Sequence, residues 1–464
     1  MKKTFTLFFA IAFAFATQAQ TTVTWAQDIA PILYQSCTKC HHNGGLAPFA
    51  LLTYNDAYNQ RTLMKYDVMN HIMPPWPPDP TYCRYAQERI ISAVDINKIR
   101  DWVDAGAPMG DTTQAPAVPT YTNASELGAP DISVRIPDFT VPSAQNNDIY
   151  QCFVLPSGLT ADEYITAMEI IPGNPEIVHH VLIFEDTTGT CHRLDSLSPG
   201  PGYLSFGSPG TNNAILIGGW VPGATPTFMP ANMGIKLYKH SDIVIQVHYP
   251  VGSNNKLDST RLNLKIVPSV PRPVLFDPVL AYFTNMVNGP LKVPADSVKT
   301  FVEHFHTPAY DATAISVAPH CHLLGQNWLC FAVTPQGDTI PLIKINKWDF
   351  HWQGFYEYRN LLKIPANSDL YAICQYDNTS NNPENPNNPP QQVTAGEATS
   401  DEMMLVFFGY TLYLPGDENV VTDTSALVDI TDTVTTPVDT TITDTTTAIT
   451  QPHQNDIVST VQLY

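Results

Sequence analysis

His320, Cys321 and His322 place two imidazoles one residue apart. On an extended strand that spacing sends both side chains to one face, because side chains alternate with period two. Such a pair holds one metal ion without bending the backbone. A thioether from a distant segment, Met403, completes a soft N/N/S set, which suits copper cycling through Cu(I) better than it suits zinc. A second group is offered by the tandem pair His179-His180 together with His248, the last within the strand-forming run Ile-Val-Ile-Gln-Val-His-Tyr at 243–249. Adjacent residues on a regular strand face opposite ways. His179 and His180 therefore reach one ion only if the backbone twists there or the rings use different nitrogens. Three imidazoles make a harder site, tolerant of both Cu(I) and Cu(II), as an electron store must be. Taken singly, each histidine is more often a hydrogen-bonded structural residue than a ligand; a tandem pair and a one-spaced pair in one chain shift that balance. His304 and His306 form another one-spaced pair, a rival ligand pair read here as structural or as outer-shell support.

Cys37-Thr38-Lys39-Cys40-His41 is the attachment pattern of c-type haem. Two thiols at this spacing add to the two haem vinyl groups, and His41 presents its imidazole to iron. Its plain alternative is a redox dithiol or half of a zinc site. For the sixth iron ligand the choice is Met73, held in a loop by Pro74 and Pro75, since a His/Met pair raises the reduction potential. Met64, Met69, His71 and His42 compete, and Met73 also reads as a packing residue. One CxxCH motif makes this a single-haem module, which relays electrons for chemistry done elsewhere in the chain.

The elements that position these groups follow from the remaining pattern. A chain of 464 residues divides into about three domains. Formal net charge is −20 with no basic cluster, so nucleic-acid binding is not expected. Met1-Lys2-Lys3 and the apolar run 5–16 read as a secretory signal, residues 1–19, cleaved after Ala19. No segment has the length of a membrane helix. A periplasmic, secreted or cell-surface location follows, which permits disulfides. Of the eight cysteines, Cys152 with Cys191 and Cys330 with Cys374 are the expected pairs, although pairing is not deducible from sequence. Cys321 is left out of the metal site, because on a regular strand it points away from the metal face.

Residues 20–111 are expected to form a small all-α, cytochrome c-like haem domain. A short amphipathic segment at 29–34 precedes the cysteine motif, and Ile96, Ile99, Trp102 and Val103 predict a closing helix over 95–103. Ala105-Gly106-Ala107-Pro108 ends it. Residues 112–130, rich in Thr, Ala and Pro, read as a linker. From 131 to about 414, short strands alternate with Gly, Pro and Asn turns, predicting antiparallel sandwiches. That length makes two of them, 131–275 and 276–415, jointed in the proline-rich stretch 267–280. Residues 416–464 form a Thr/Asp-rich tail without a core pattern, expected to be disordered.

Four motifs taken together, His179-His180-Val-Leu-Ile-Phe, Gln246-Val247-His248-Tyr249, His320-Cys321-His322-Leu323-Leu324-Gly325 and Asp401-Glu402-Met403, occur in the order and approximate spacing of the copper type II, ascorbate-dependent monooxygenases. The region from 131 to 414 resembles that family, which includes the peptide-amidating and dopamine-hydroxylating enzymes. The resemblance implies two all-β, jelly-roll-like sandwiches facing each other across a solvent-filled cleft, each carrying one copper. By it, His179, His180 and His248 hold an electron-storing copper, and His320, His322 and Met403 hold the catalytic, oxygen-activating one. Cys152 matches a family cysteine, which supports its disulfide. Two departures stand out. The peptide-amidating branch has an arginine where this chain has Ala318, and a substrate-contacting tyrosine where it has Phe407. Peptide amidation is therefore disfavoured.

The expected activity is hydroxylation of an aliphatic C–H bond in a small organic substrate by O2, using two copper ions. One covalently bound haem c would supply electrons, refilled by an outside reductant (ascorbate or a protein electron donor). The competing reading is a copper/haem electron-transfer or copper-binding protein without hydroxylation, since fold is a weak warrant for function. A third makes the β region an adhesion module on a Thr-rich stalk.

Overall fold

The computed structural model describes residues 22–122, 124–143 and 148–430. The expected leader at 1–19, and the tail from 431 onward, lie outside the described residues. Among the described residues no helix is long and apolar enough to cross a membrane.

The N-terminal segment carries the helices Ala30–Ser36, Tyr54–Met69 and Ala93–Asp104. The second starts at a capping box in which Thr53 and Asp56 satisfy each other's backbone N–H groups. The third starts at Ser92, whose hydroxyl accepts from Asp95 N. Its inward stripe of Ile96, Ile99 and Trp102 meets Trp25, Ile29 and Leu33 in one apolar core. Gly106, with φ +85°, turns the chain out of the helix. This segment is not closed on itself. Between its second and third helices, Asp79 N donates to Lys344 O and Ala86 N to Glu357 O. Tyr85 is buried in the core of the C-terminal sandwich, its hydroxyl donating to Leu342 O. The predicted linker is likewise held: Ser125 Oγ and Glu126 N both donate to the buried carboxylate of Glu169.

The rest is almost entirely antiparallel sheet. In the first sandwich, a five-stranded sheet runs in the order Tyr203–Leu204, Ile149–Pro156, Asp242–Tyr249, His180–Asp186, Ile215–Trp220. Along Asp242–Tyr249 the pleat sorts the side chains. Ile243, Ile245, Val247 and Tyr249 enter the sandwich core. Val244 joins a smaller cluster with Cys152, Phe184 and Cys191, and by the same alternation His248 shares that opposite face. In the second sandwich, Ser297–His306, Asp369–Asn378, Gly325–Val333 and Thr339–Ile345 form a four-stranded sheet, packed through Phe301, Trp328 and Tyr376 on the facing strands.

Two boundaries differ from expectation. The proline-rich joint is a strand, Arg272–Ala281, that runs parallel to Met233–Leu237 over 272–274 and then antiparallel to Leu405–Leu412. One nine-stranded sheet thus crosses both sandwiches. Pro278 sits where the register shifts, a place that tolerates the missing N–H. The ordered chain also continues past 416. The Asp417 carboxylate takes two hydrogen bonds from the Arg272 guanidinium, at 2.7 and 2.6 Å, and one from Thr313 Oγ1. Val420 and Thr422 then pair with Leu361 and Arg359. Composition masked this anchor, because it depends on a cation 145 residues upstream. Both partners are nearly buried, at 12% and 7% exposure. Arg272→Ala is expected to lower the unfolding free energy by about 3 kcal/mol, the scale of stranding a buried charge, read by urea denaturation.

Candidate metal centres

His180 and His248 stand directly opposite each other on neighbouring antiparallel strands, so their rings share a face. His179 lies just before the strand begins, where its N–H donates to His248 O at 2.9 Å. Outside the pleat it escapes the alternation rule and turns toward its neighbour. The three Nδ1 atoms stand 3.2, 3.1 and 3.3 Å apart. The centre of such a triangle is about 1.9 Å from each corner, close to the ~2.0 Å bond of imidazole nitrogen to a divalent metal. This is the cluster of His, Cys, Asp or Glu able to hold a metal among the described residues. Three lone-pair nitrogens converging with no donor between them make a poor hydrogen-bond arrangement and a good coordination one. The residues fit the copper expected of them.

The surroundings hold that geometry. Tyr150, opposite His248 on its other side, stacks on it at 4.2 Å with the rings nearly parallel, 6° apart. Asp148 Oδ2 lies 3.3 Å from His248 Nε2, although the ring N–H is not aligned on it. The same carboxylate accepts from Thr399 Oγ1, four residues before Met403. Neither Tyr150 nor Asp148 carries a sequence signal that singles it out.

The second group gathers at the end of Ala312–His320. His320 is the last strand residue and His322 lies in the turn beyond it. The regular strand expected through 322 thus stops two residues early, yet the rings still meet, with centroids 5.1 Å apart. His320 Nδ1 is 2.5 Å from Gln353 Oε1, and His322 Nδ1 is 3.0 Å from Asp401 O. Both acceptors demand a proton on Nδ1, which leaves Nε2 as the lone-pair nitrogen of each ring. The two clusters thus offer opposite nitrogens. The backbone of Met403 is tied to this turn by its neighbour. The buried Glu402 carboxylate accepts from His322 N, Leu324 N and Met403 N at 2.9, 2.7 and 3.3 Å, and Tyr376 Oη donates to Met403 O. The Met403 side chain is buried beside Ala281 and Leu405.

Phe350 is the residue that no spacing rule foretold. It sits in the short 3-10 turn Phe350–Trp352. Its ring stacks on His179 at 5.5 Å and meets His322 edge-on at 5.8 Å. Phe350 therefore contacts one imidazole from each histidine group.

All five imidazoles are held neutral. Burial, then the neighbouring histidines, pushes His179 and His322 down to about 3; burial also lowers His180, His248 and His320. The sign of the consequence is definite. Below pH ~6.5 the unfolded chain takes up protons that the folded chain refuses, so stability is full above that pH and is lost as pH falls toward 3. We expect the metal-free protein to lose stability between pH 6.5 and 5 at up to about 1.4 kcal/mol per pH unit for each such imidazole. Copper should raise stability across this range and leave the slope unchanged, because the folded imidazoles are already unprotonated. Thermal unfolding against pH, with and without copper, checks this.

The other cysteines and histidines take different places. All eight thiols are free, which corrects both expected disulfides. Cys152 and Cys191 share one buried cluster. Cys330 is paired across the sheet with Ala372, one diagonal away from Cys374, whose sulfur instead lies 4.0 Å from that of Cys321. Cys321 points into the core, as alternation required, where its sulfur accepts from Trp328 Nε1. His304 and His306 both bond Asp369 Oδ1, at 2.8 and 2.9 Å, on Ser297–His306 and belong to neither cluster.

In the N-terminal segment, Cys37 caps the helix Ala30–Ser36 and Cys40 N donates back to Cys37 O at 3.1 Å. His41 Nδ1 is 3.1 Å from Phe49 O. That contact puts the proton on Nδ1 and leaves Nε2 for an axial bond to iron, so the residues present fit a c-type haem. Among candidates for the sixth position, Met64 is buried in the helical core and Met69 packs against it. His42 Nδ1 is bonded to Thr38 O while its ring stacks on Tyr121. His71 is exposed, with a left-handed backbone. Met73 is half-buried, and its N–H and that of Ile72 converge on Asp67 O.

Residues 302–424 match the family model "Copper type II ascorbate-dependent monooxygenase, C-terminal domain". The match spans His320, His322 and Met403 and supports copper-dependent monooxygenase chemistry. No curated protein matches the chain. Solved structures similar to it include PNGase F, a glycosylasparaginase from Flavobacterium meningosepticum, at 10% identity over 60% of this chain and 96% of that one, TM-score 0.26. The tandem CBM22 domains of Paenibacillus barcinonensis Xyn10C are 9% identical over 60% and 86%, TM-score 0.15.

Proposed function

We propose that this chain is a copper-dependent monooxygenase that hydroxylates an aliphatic C–H bond, with electrons entering through a covalently attached c-type haem. The observation that carries the reading is the pair of unlike histidine clusters, each with one imidazole in contact with Phe350. Copper, when bound, supplies one-electron redox chemistry and oxygen activation, and haem supplies a one-electron relay. His179, His180 and His248 would hold one ion through Nδ1. His320 and His322 would hold the other through Nε2, with the Met403 thioether as its soft ligand. Gln353 and the carbonyl of Asp401 fix the tautomers, and Glu402 ties the ligand-bearing turn to the methionine segment. Cys37 and Cys40 would carry the haem, with His41 and Met73 offered to its iron and an outside donor completing the circuit. The chemistry of haem attachment fits a chain that acts outside the cytoplasm.

The surface at which the family resemblance would seat substrate is apolar. Ala318 and Phe407 pair directly across neighbouring strands, and Phe276 stacks on Phe407 at 5.8 Å. Two residues farther along the same face, Ser316 and Gly409 reach a cavity of about 50 Å³ between the sandwiches, lined also by Met168, Phe355 and Glu357. Burial pushes the Glu357 carboxyl up to about 7. No fixed cation stands among these groups, so a peptide carboxylate has no anchor here and an apolar small molecule suits the surface.

The test is oxygen uptake by the reduced, copper-loaded protein across a panel of small aliphatic and aromatic compounds, with product analysis. Substrate-dependent uptake yielding an alcohol is expected. Two tightly bound coppers with no uptake on any substrate would instead favour the electron-transfer reading.

A further inference from the structure

Three buried donors meet with no acceptor where the helical segment touches both sandwiches. Arg89 forms no ion pair among the described residues, and its Nε has no hydrogen-bond partner. Its guanidinium lies 5.7 Å from the Trp76 ring centroid, and Trp76 stands edge-on to Tyr356 at 5.5 Å. Trp76 Nε1 and Tyr356 Oη are also buried and unpartnered. Leaving one such group unsatisfied costs about 1–3 kcal/mol, more for a charged one. Three together, one of them cationic, form a site whose missing member is an anion with acceptor oxygens. Burial holds the Arg89 guanidinium below its usual value, as a lone cation without a counter-charge would be.

The position of this site names the anion. Arg89 Nη1 fills the place where a side chain at Gly223 would stand, and Cys40 Sγ is 4.0 Å from the same point. Successive contacts thus link Cys40 to Arg89, Arg89 to Trp76, and Trp76 to Tyr356. A macrocycle tethered at Cys40 carries two carboxylates on the edge away from its thioether bonds, and this row of donors leads toward such an edge. Trp76 follows Met73 by three residues, and Tyr356 follows Gln353 by three. The row therefore joins the haem-bearing loop to the strand that leaves the His320 cluster.

We propose that Arg89, Trp76 and Tyr356 form a carboxylate clamp for a haem propionate, docking the haem edge against the copper-bearing sandwiches. The proposal rests on the haem reading given above. Its role is positioning and charge compensation: a buried cation beside the propionate favours the reduced haem, and the clamp sets the edge through which electrons leave.

The experiment is anaerobic spectroelectrochemical titration of the full-length protein, with covalent haem measured by intact mass and pyridine haemochrome. Arg89→Gln should lower the haem midpoint potential by at least about 59 mV, a tenfold fall in the reduced-to-oxidised ratio for one electron. Arg89→Lys should recover part of it, and Tyr356→Phe should lower it by less. An unchanged potential in Arg89→Gln with haem attached overturns the clamp and leaves the haem reading standing. If Arg89→Gln does not retain haem, Tyr356→Phe decides, and an unchanged potential there overturns the clamp. Wild-type protein exported with a functional haem-attachment system but lacking covalent haem overturns both.

Discussion

His180→Ala is expected to lower bound copper from two ions per chain to one and product formation by at least ~100-fold, beyond the 10–100-fold typical of losing only an outer-shell partner. The reason is geometric. His180 is a corner of the Nδ1 triangle and stands directly opposite His248, so its removal leaves two nitrogens 3.1 Å apart with no third. The loss should be confined to one centre, because the His320 and His322 tautomers are held by Gln353 and Asp401. Asp148→Asn provides the graded comparison. It keeps the triangle but removes the charge beside His248 Nε2, and should weaken that copper by 10–100-fold without emptying the site. Metal analysis after dialysis against a weak chelator separates the two. A His180→Ala protein that keeps two coppers would remove the triangle from the account.

Met403→Leu is the second substitution of large effect. It keeps the volume of the buried side chain, so the fold should change by less than ~1.5 kcal/mol, whereas alanine would open a cavity costing about 2–5 kcal/mol. Only the sulfur is lost. Copper content is expected to stay near two, because His320 and His322 remain, while oxygen uptake falls at least ~100-fold through loss of the soft ligand that favours Cu(I). Haem spectra and their reduction should be unaltered, since Met403 lies among Ala281, Leu405 and the Glu402 contacts of the second sandwich. Full oxygen chemistry in Met403→Leu would put the reaction elsewhere.

How much of this was legible in the sequence differs by residue, for physical reasons. The strand-forming run at 243–249 was legible and is the strand Asp242–Tyr249 that carries His248, and the spacing of Ile96, Ile99 and Trp102 foretold the closing helix, which extends to Ala93–Asp104. Those signals are local. His179 was ambiguous because its placement depends on where a strand begins, and His322 because a strand ends at His320; neither boundary follows from periodicity. Phe350, Gln353 and Asp148 were invisible. They act from a 3-10 turn and a loop, and what makes them matter is contact with residues 28 to 171 positions away. The same limit applies to chain ends and joints. Arg272 with Asp417 extends the ordered fold past the point where composition suggested it stops, and a shared strand replaces the expected hinge. The orphaned donors of Arg89, Trp76 and Tyr356 are a finding of the structure alone, since no sequence pattern states that a polar atom lacks a partner.

Copper K-edge X-ray absorption of the fully reduced protein tests the central claim most directly. Two unlike centres in one chain predict a spectrum dominated by imidazole nitrogen with about one sulfur scatterer for every two coppers, and loss of that sulfur in Met403→Leu at unchanged copper content. A nitrogen-only spectrum in the wild type, or a sulfur contribution that survives Met403→Leu, would contradict it.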